Sequence, residues 1–305
     1  MRFLLHGSRS KNGLRHRLNV AAVEYEPVNR TDRPKKIVVA HIHYFDVWKD
    51  VKLAIKNIEP DEIYITTTTS QSNLDLMKIA FPSATIIQLP NMGRDVYPVI
   101  HLANLGVFDN KSVVWKLHTK KSIHTFGGDR WRRDLFFAIS GTPRIAFAVH
   151  QLLSGNEVAM VGADRYLTRL SHFNLQDNKH LFRLWSMRSG YLGPSEKTTY
   201  IAGTIFACRS EVLRDLKHLN LSAENFLVED NSKRLFSHSF AAKLFVLQYL
   251  KFFPRARRIR ARLDLQTRPA SKETYAMEAY LGYLAENYGL VVGTQEGLTG
   301  SMSAQ

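Results

Sequence analysis

Val113-Val-Trp-Lys-Leu-His-Thr-Lys-Lys-Ser122 begins as an apolar strand and ends in cations and hydroxyls. Val113, Val114 and Trp115 read as buried. His118, Thr119, Lys120, Lys121 and Ser122 follow at once. An apolar run that turns polar at its end is a strand delivering chemistry to its carboxyl edge, where ligands of open α/β sheets sit. Lys116, Lys120 and Lys121 fall within six residues, which suits an anion such as a phosphate or diphosphate. The same run reads equally well as a solvated charge cluster behind a core strand.

Outward from this stretch, strands and helices alternate. Ile37-Val-Val-Ala-His-Ile-His43 is a first strand. Phe45 to Asn57 has helical spacing, with Val47, Trp48, Val51, Leu53, Ala54 and Ile55 grouped on one side. Glu62-Ile-Tyr-Ile-Thr66 is a second strand that runs into four threonines, and Leu74 to Ala80 is a helix ended by Pro82. Thr85 to Leu89 is a third strand, Tyr97 to Leu105 a helix, and Val113 to Leu117 the fourth strand. Four such alternations argue for βαβ units. The expected fold class is α/β, a Rossmann-like mostly parallel sheet flanked by helices.

Further on, Trp131 to Phe137 and Arg144 to Leu153 read as helices and Val158 to Gly162 as a fifth strand. Residues 165–195 are rich in Arg, Asn, His, Gly and Ser and read as a long mobile segment over a site. Thr198 to Cys208 is a sixth strand, followed by helices over Ser210 to Leu216, Leu235 to Tyr249 and Tyr275 to Tyr288. The domain reading is a polar basic arm over 1–35, an α/β domain over 36–250, and a basic helical extension over 251–305.

The 305 residues are 45% hydrophobic, enough for a substantial core and unlike a disordered chain. A formal charge of +15 points to an acidic partner: nucleic acid, anionic lipid or a nucleotide-linked substrate. Lys251-Phe-Phe-Pro-Arg-Ala-Arg-Arg-Ile-Arg-Ala-Arg262 carries six basic residues and no acidic one. The single Cys208 excludes an intrachain disulfide and a cysteine zinc cage. No apolar run reaches the roughly 18 to 20 residues of a membrane span, and the N-terminal apolar core is too short for a signal peptide. The expected location is cytoplasmic, peripheral on the inner face of the membrane.

Several constellations carry potential chemistry. In His41-Ile-His43-Tyr44-Phe-Asp46 the alternation puts His41 and His43 on one face of the first strand. Two histidines without an evident third ligand read as substrate-facing or buried residues rather than as a metal site. In Pro90-Asn-Met-Gly93-Arg94-Asp95-Val-Tyr-Pro98, Gly93 allows a sharp turn and Asp95 reads as an N-cap. Alternatively Arg94 meets a phosphate and Asp95 a sugar hydroxyl. Trp131-Arg132-Arg-Asp134 opens a helix, and arginines at a helix N-terminus suit an anion. Gly203-Thr204 lies inside a strand, a position that often marks close approach of a ligand. Asp164, Glu229 and Asp230 are candidate general bases for an acceptor hydroxyl, and His238 follows them.

Taken together, these pieces resemble the rhamnan synthesis F (RgpF-like) family of polysaccharide glycosyltransferases. The resemblance rests on His41 to Asp46, the threonines from Thr66 through Thr67 to Thr69, Gly93-Arg-Asp95 with Pro98, Lys116-Leu-His-Thr-Lys-Lys-Ser122, Trp131 to Leu135 and Ala202 to Phe206. It implies transfer of a sugar, often rhamnose, from a nucleotide-sugar donor to a glycan or lipid-linked acceptor. His238 fits the family pattern, whereas alanines stand where that pattern carries a Glu-Arg pair. The layout also resembles nucleotide-sugar transferases of the GT-A type, in which the equivalent strand ends in an Asp-x-Asp metal motif. Here that strand end reads Leu117-His-Thr-Lys-Lys, with no carboxylate for a hard cation. The expectation is therefore no metal and no other cofactor, with Lys116, His118, Lys120 and Lys121 neutralising the leaving diphosphate. Competing readings are a nucleic-acid-binding module, disfavoured because no nucleic-acid fold signature appears, and an inactive scaffold that uses the basic stretch on an anionic membrane surface.

Overall fold

The computed structural model describes residues 5–10, 13–18, 33–119, 128–226 and 271–294. Strands β1 (Leu5–Ser10) and β2 (Gly13–Leu18) form an antiparallel hairpin. Then come β3 (Lys35–Ile42), α1 (Trp48–Ile58), β4 (Glu62–Thr67), α2 (Gln71–Ala80), β5 (Thr85–Gln88), α3 (Tyr97–Asn104) and β6 (Ser112–His118). After a segment outside the described residues, α4 (Gly128–Ser140), α5 (Pro143–Ser154) and β7 (Val158–Ala163) follow. A small two-stranded ribbon pairs β8 (Leu167–Arg169) with β9 (Thr199–Ile201), and α6 (His172–Asp177) and α7 (Lys179–Ser189) lie between them. The main sheet resumes with β10 (Phe206–Arg209), then α8 (Ser210–Arg214), α9 (Lys272–Glu286) and β11 (Leu290–Thr294).

The nine-stranded main sheet runs β1-β2-β11-β7-β10-β6-β3-β4-β5. Five of its neighbouring pairs are parallel and three antiparallel, and β10 runs against both β6 and β7. This is the expected α/β architecture with a mostly parallel, mixed sheet. From β3 the chain steps outward to β4 and β5, then returns to place β6 on the other side of β3. That reversal is a topological switch point, where a crevice opens at the carboxyl ends of the strands.

The central strands explain themselves through burial on both faces. Ile37, Val38, Val39, Ala40 and Ile42 of β3 are buried, as are Val113, Val114, Trp115 and Leu117 of β6. Continuous apolar runs are what a doubly covered parallel sheet requires. Trp115 donates its indole N–H to the Ile139 carbonyl at 3.1 Å, which ties β6 to α4. On α1, Trp48, Val51, Ala54, Ile55 and Ile58 face the core. Leu53 does not join them as expected: it is 53% exposed, because two positions past Val51 is the opposite side of a helix.

Three other expectations change. Residues 165–195 are largely helical, not a mobile segment. Ser171 caps α6 by accepting from the Asn174 amide, and Leu181, Phe182 and Trp185 of α7 are buried, the two aromatic rings against Tyr280. The single sixth strand over Thr198 to Cys208 is two strands in different sheets, broken at Gly203-Thr204. The segments expected as an arm and an extension carry strands of the main sheet: β2 pairs with β11, and β11 with β7. On α9, Met277, Tyr280, Leu281 and Leu284 are buried in the same core. The expected helix over Leu235 to Tyr249 and the basic stretch over 251–262 lie outside the described residues.

Candidate functional site

Three parallel strands end together at the switch point. His41 of β3 is in register with His118 of β6 on one side and with Thr66 of β4 on the other. The imidazole Nδ1 of His41 lies 3.1 Å from the Thr66 hydroxyl, and His43 Nδ1 lies 2.6 Å from that of Thr68. Burial is the main force holding the His41 pKa down, from 6.5 to about 4; Asp95 opposes the shift, and Lys116 and His43 reinforce it. His41 is therefore a neutral ring at neutral pH. Thr119 ties the strand ends together. Its amide donates to the His41 carbonyl at 3.0 Å, and its hydroxyl accepts from the His43 and Tyr44 amides at 2.9 and 3.0 Å. Thr67 donates to the Ile42 carbonyl at 2.7 Å.

Beneath this edge lies a buried ionic cluster. Lys116 Nζ donates to Asp95 Oδ2 at 2.7 Å and to the Thr204 carbonyl at 2.8 Å. The Thr204 hydroxyl donates to the same Asp95 oxygen. His118 Nδ1 lies 3.3 Å from it. Burial alone would raise the Asp95 pKa. The charges of His118 and Lys116, with hydrogen bonds from Lys116 and Thr204, outweigh burial and hold it well below the usual carboxylate range. Asp95 is thus an anion shared by two basic side chains. A buried ion pair of this kind requires that its hydrogen bonds be satisfied.

The backbone that delivers Asp95 and Thr204 is left-handed in both places. Gly93 and Arg94 have φ of 59° and 53°; Gly203 and Thr204 have 104° and 52°. Such φ values at Arg94 and Thr204 are uncommon for residues with a side chain. Strain held by surrounding structure clusters at functional sites. The Gly203 amide donates to the Glu278 carboxylate of α9, and a Cβ there would lie 2.8 Å from Leu135.

These contacts revise the expected roles. Asp95 is not an N-cap: α3 begins two residues later with Val96 at the cap and Pro98 in its first turn. The Lys116 ammonium and the Thr204 hydroxyl hold the carboxylate in place of a helix N–H. Lys116 is 2% exposed and fully engaged inside the protein, so it supports the site from below. Helix α4 starts at Gly128, three residues before Trp131. Arg132 is buried, donating from Nε to Asp50 at 3.0 Å and from NH1 to Asp129 at 2.8 Å, which pins α4 to α1. Arg94 lies over the Tyr275 ring at 5.6 Å.

Trp131 packs against Gly203, and its ring centroid is 5.6 Å from that of Tyr166. Asp164 sits at the carboxyl end of β7, with only β10 between β7 and β6. Two strand spacings put its backbone about 10 Å across the sheet from β6. Lys120, Lys121, Ser122, Glu229, Asp230 and His238 lie outside the described residues. Glu278 and Tyr166 join this edge without having stood out in the sequence, whereas Thr68 belongs to the threonine run after β4. The only signal for Tyr166 was its position two residues past Asp164, and Glu278 gave none.

Among the described residues, no three His, Cys, Asp or Glu side chains gather as a metal site would need, and no helix is long and apolar enough to cross a membrane. Fold and site define an α/β protein of the Rossmann-like class, with a buried ionic cluster under the carboxyl ends of its central strands. The chain belongs to the rhamnan synthesis protein F family, whose model matches residues 12–251. It is 29% identical over 196 residues to the uncharacterized protein WxcX of Xanthomonas campestris pv. campestris strain B100, covering 63% of this chain and 28% of that protein. WxcX of a second strain is 28% identical over the same length, with the same coverage. The chain therefore spans little more than a quarter of these curated relatives. No solved structure matches it.

Proposed function

We propose that this chain is a glycosyltransferase unit of polysaccharide synthesis. It would move a sugar, rhamnose being the first to test, from a nucleotide-sugar donor to a glycan or lipid-linked acceptor at a membrane surface. The observation that carries this reading is the registered pair His41 and His118 at the switch point, above the Asp95–Lys116 ion pair. Membership of a family named for rhamnan synthesis supports the same reaction class.

The donor diphosphate would lie across the carboxyl ends of β3 and β6. Asp95 faces Nδ1 of His118, which fixes the ring at the strand end beside the place proposed for the diphosphate. Lys120 and Lys121 follow β6 directly in sequence and would supply the cations that Lys116, already paired, cannot. Fixed positive charge at the leaving diphosphate lowers the barrier because charge develops there in the transition state. The proposal needs no metal ion. The strand end holds lysines where an acidic motif would stand, and Asp95 Oδ2 is committed to Lys116, Thr204 and His118. Asp164, Glu229 and Asp230 are the candidates to deprotonate the acceptor, Asp164 from the neighbouring strand end. Neutral His41 would meet uncharged sugar or ribose hydroxyls.

Calorimetry with nucleoside diphosphates tests this, with and without EDTA. Binding that survives chelation is expected. Lys120→Ala with Lys121→Ala should weaken it about tenfold or more, since hydrogen bonds to charged groups contribute about 1.5–3 kcal/mol each. No binding by the wild type, or unchanged affinity in the double variant, overturns the site assignment. Binding abolished by EDTA overturns the metal-free mechanism.

A further inference from the structure

Helix α7 is packed on one side and open on the other. Leu181, Phe182 and Trp185 are buried, with Trp185 5.2 Å from the Tyr280 ring, so the helix is fixed to α9. Its outer side presents Leu184 at 41% exposure and Met187 at 72%. Leu192, just beyond the Gly190 C-cap, is fully exposed. At 100° per residue, Leu184 and Met187 lie at the centre of the open arc, with Arg183 on one flank and Arg188 on the other. Lys179 and His180 extend the arc by one turn and are exposed too. Apolar side chains this exposed on a rigid helix call for a partner.

Along the helix and the turn after it, the charge is positive. No Asp or Glu occurs between Asp177 and Glu196. Asp177 lies 3.6 Å from Lys272, and Glu196 lies 2.6 Å from His172. Underneath, buried Asp215 accepts from the Tyr191 and Tyr288 hydroxyls at 2.6 and 2.7 Å, so it does not reach the surface. On the neighbouring turn, Asp109 is paired with Lys217 at 2.7 Å.

We propose that the outer face of α7, continued by Leu192, is a docking surface for an anionic membrane. Flexible Leu and Met side chains enter the boundary between headgroups and acyl chains, while Lys179 and Arg183 reach lipid phosphates beside them; Arg188 donates to the Leu219 carbonyl at 2.6 Å and stays with the protein. This is the pattern of a helix lying in the membrane plane. The basic stretch over 251–262 is separate in sequence from this surface. The surface also does not depend on the glycosyltransferase reading.

Vesicle flotation of the 305-residue chain tests it, using phosphatidylcholine vesicles with and without phosphatidylglycerol. Binding that requires phosphatidylglycerol and weakens with salt is expected. The triple variant Leu184→Ser, Met187→Ser, Leu192→Ser should lose about tenfold or more in affinity, and Lys179→Glu with Arg183→Glu should do the same. Circular dichroism confirms that each variant keeps its fold. These positions are on the surface, so the fold should hold. A variant with Arg255, Arg257, Arg258, Arg260 and Arg262 all changed to Ser separates the other basic stretch. The proposal falls if the wild type binds neither vesicle, if the α7 variants bind like the wild type, or if all binding is lost with the 255–262 arginines alone. It also falls if the lipid-free chain self-associates through this face, shown by a concentration-dependent mass that the Ser variant abolishes.

Discussion

Asp95 is the residue on which most of the site turns. Its carboxylate faces Lys116, His118 and the Thr204 hydroxyl, all delivered from other segments. Asp95→Asn removes the charge that compensates a lysine with a 3% exposed side chain. Breaking a buried pair from one side costs on the order of 3–5 kcal/mol, so a lower urea midpoint is expected. Because the folded pKa is depressed, this contribution is present above the ordinary carboxylate pKa and is lost as the pH falls towards the folded value. His41 adds a second acid-sensitive term in a higher window. Its pKa falls on folding from 6.5 to about 4. The unfolded chain takes up the proton first, so stability is full above about 6.5 and drops as the pH approaches 4. The loss approaches 3 kcal/mol, at about 1.4 kcal/mol per pKa unit. His41→Asn should flatten the pH dependence of the urea midpoint across that window, and an unchanged slope would show that His41 is not its source. His41 and His118 were legible in the sequence as strand-end residues. The Asp95–Lys116 pair was not, because 21 residues separate the partners.

At the scale of elements, helix α9 shows how tightly this fold is assembled. Gly282 sits in the middle of α9, where a Cβ would lie 2.3 Å from the Thr199 carbonyl oxygen and 2.4 Å from Tyr200 Cβ in β9. In an exposed helix, Gly→Ala stabilises by about 0.5–1 kcal/mol. Here overpacking against backbone should reverse the sign, with a net loss of about 1–3 kcal/mol. A rise in Tm for Gly282→Ala would show that α9 and β9 can separate without cost. The sequence displayed this helix through Tyr280, Leu281, Tyr283 and Leu284. It also held the signals for α6 and α7: the Ser171 cap and the Leu181-Phe182…Trp185 spacing. The polar residues between them masked that pattern, because α7 buries only one face.

At the scale of the whole molecule, the main sheet is closed by segments far apart in the chain. Strand β11 lies between β2 and β7, and α9 packs on β9 and α7. A chain ended before Ser271 loses β11 and the buried Met277, Tyr280, Leu281 and Leu284. Each such side chain contributes about 1.5–3 kcal/mol, together comparable to the 5–15 kcal/mol of a typical domain. Thermal unfolding followed by circular dichroism should show no cooperative transition for the truncated chain. A retained sharp transition would mean that the fold does not need α9 and β11.

The sequence by itself determined the layer architecture and the strand ends at which the candidate site lies. Runs such as Ile37 to Ala40 and Val113 to Trp115 can only be doubly covered strands, and polar residues directly after them fall at carboxyl ends. Both properties are local, carried by a handful of consecutive side chains. Only the tertiary structure decided that Lys116 is a buried counter-ion rather than an open anion ligand, that Arg132 braces α4 against α1, and that β10 runs against its neighbours between β6 and β7. Those outcomes depend on which distant groups share a low-dielectric space. There a charge must find its partner, and no periodicity along the chain records the choice.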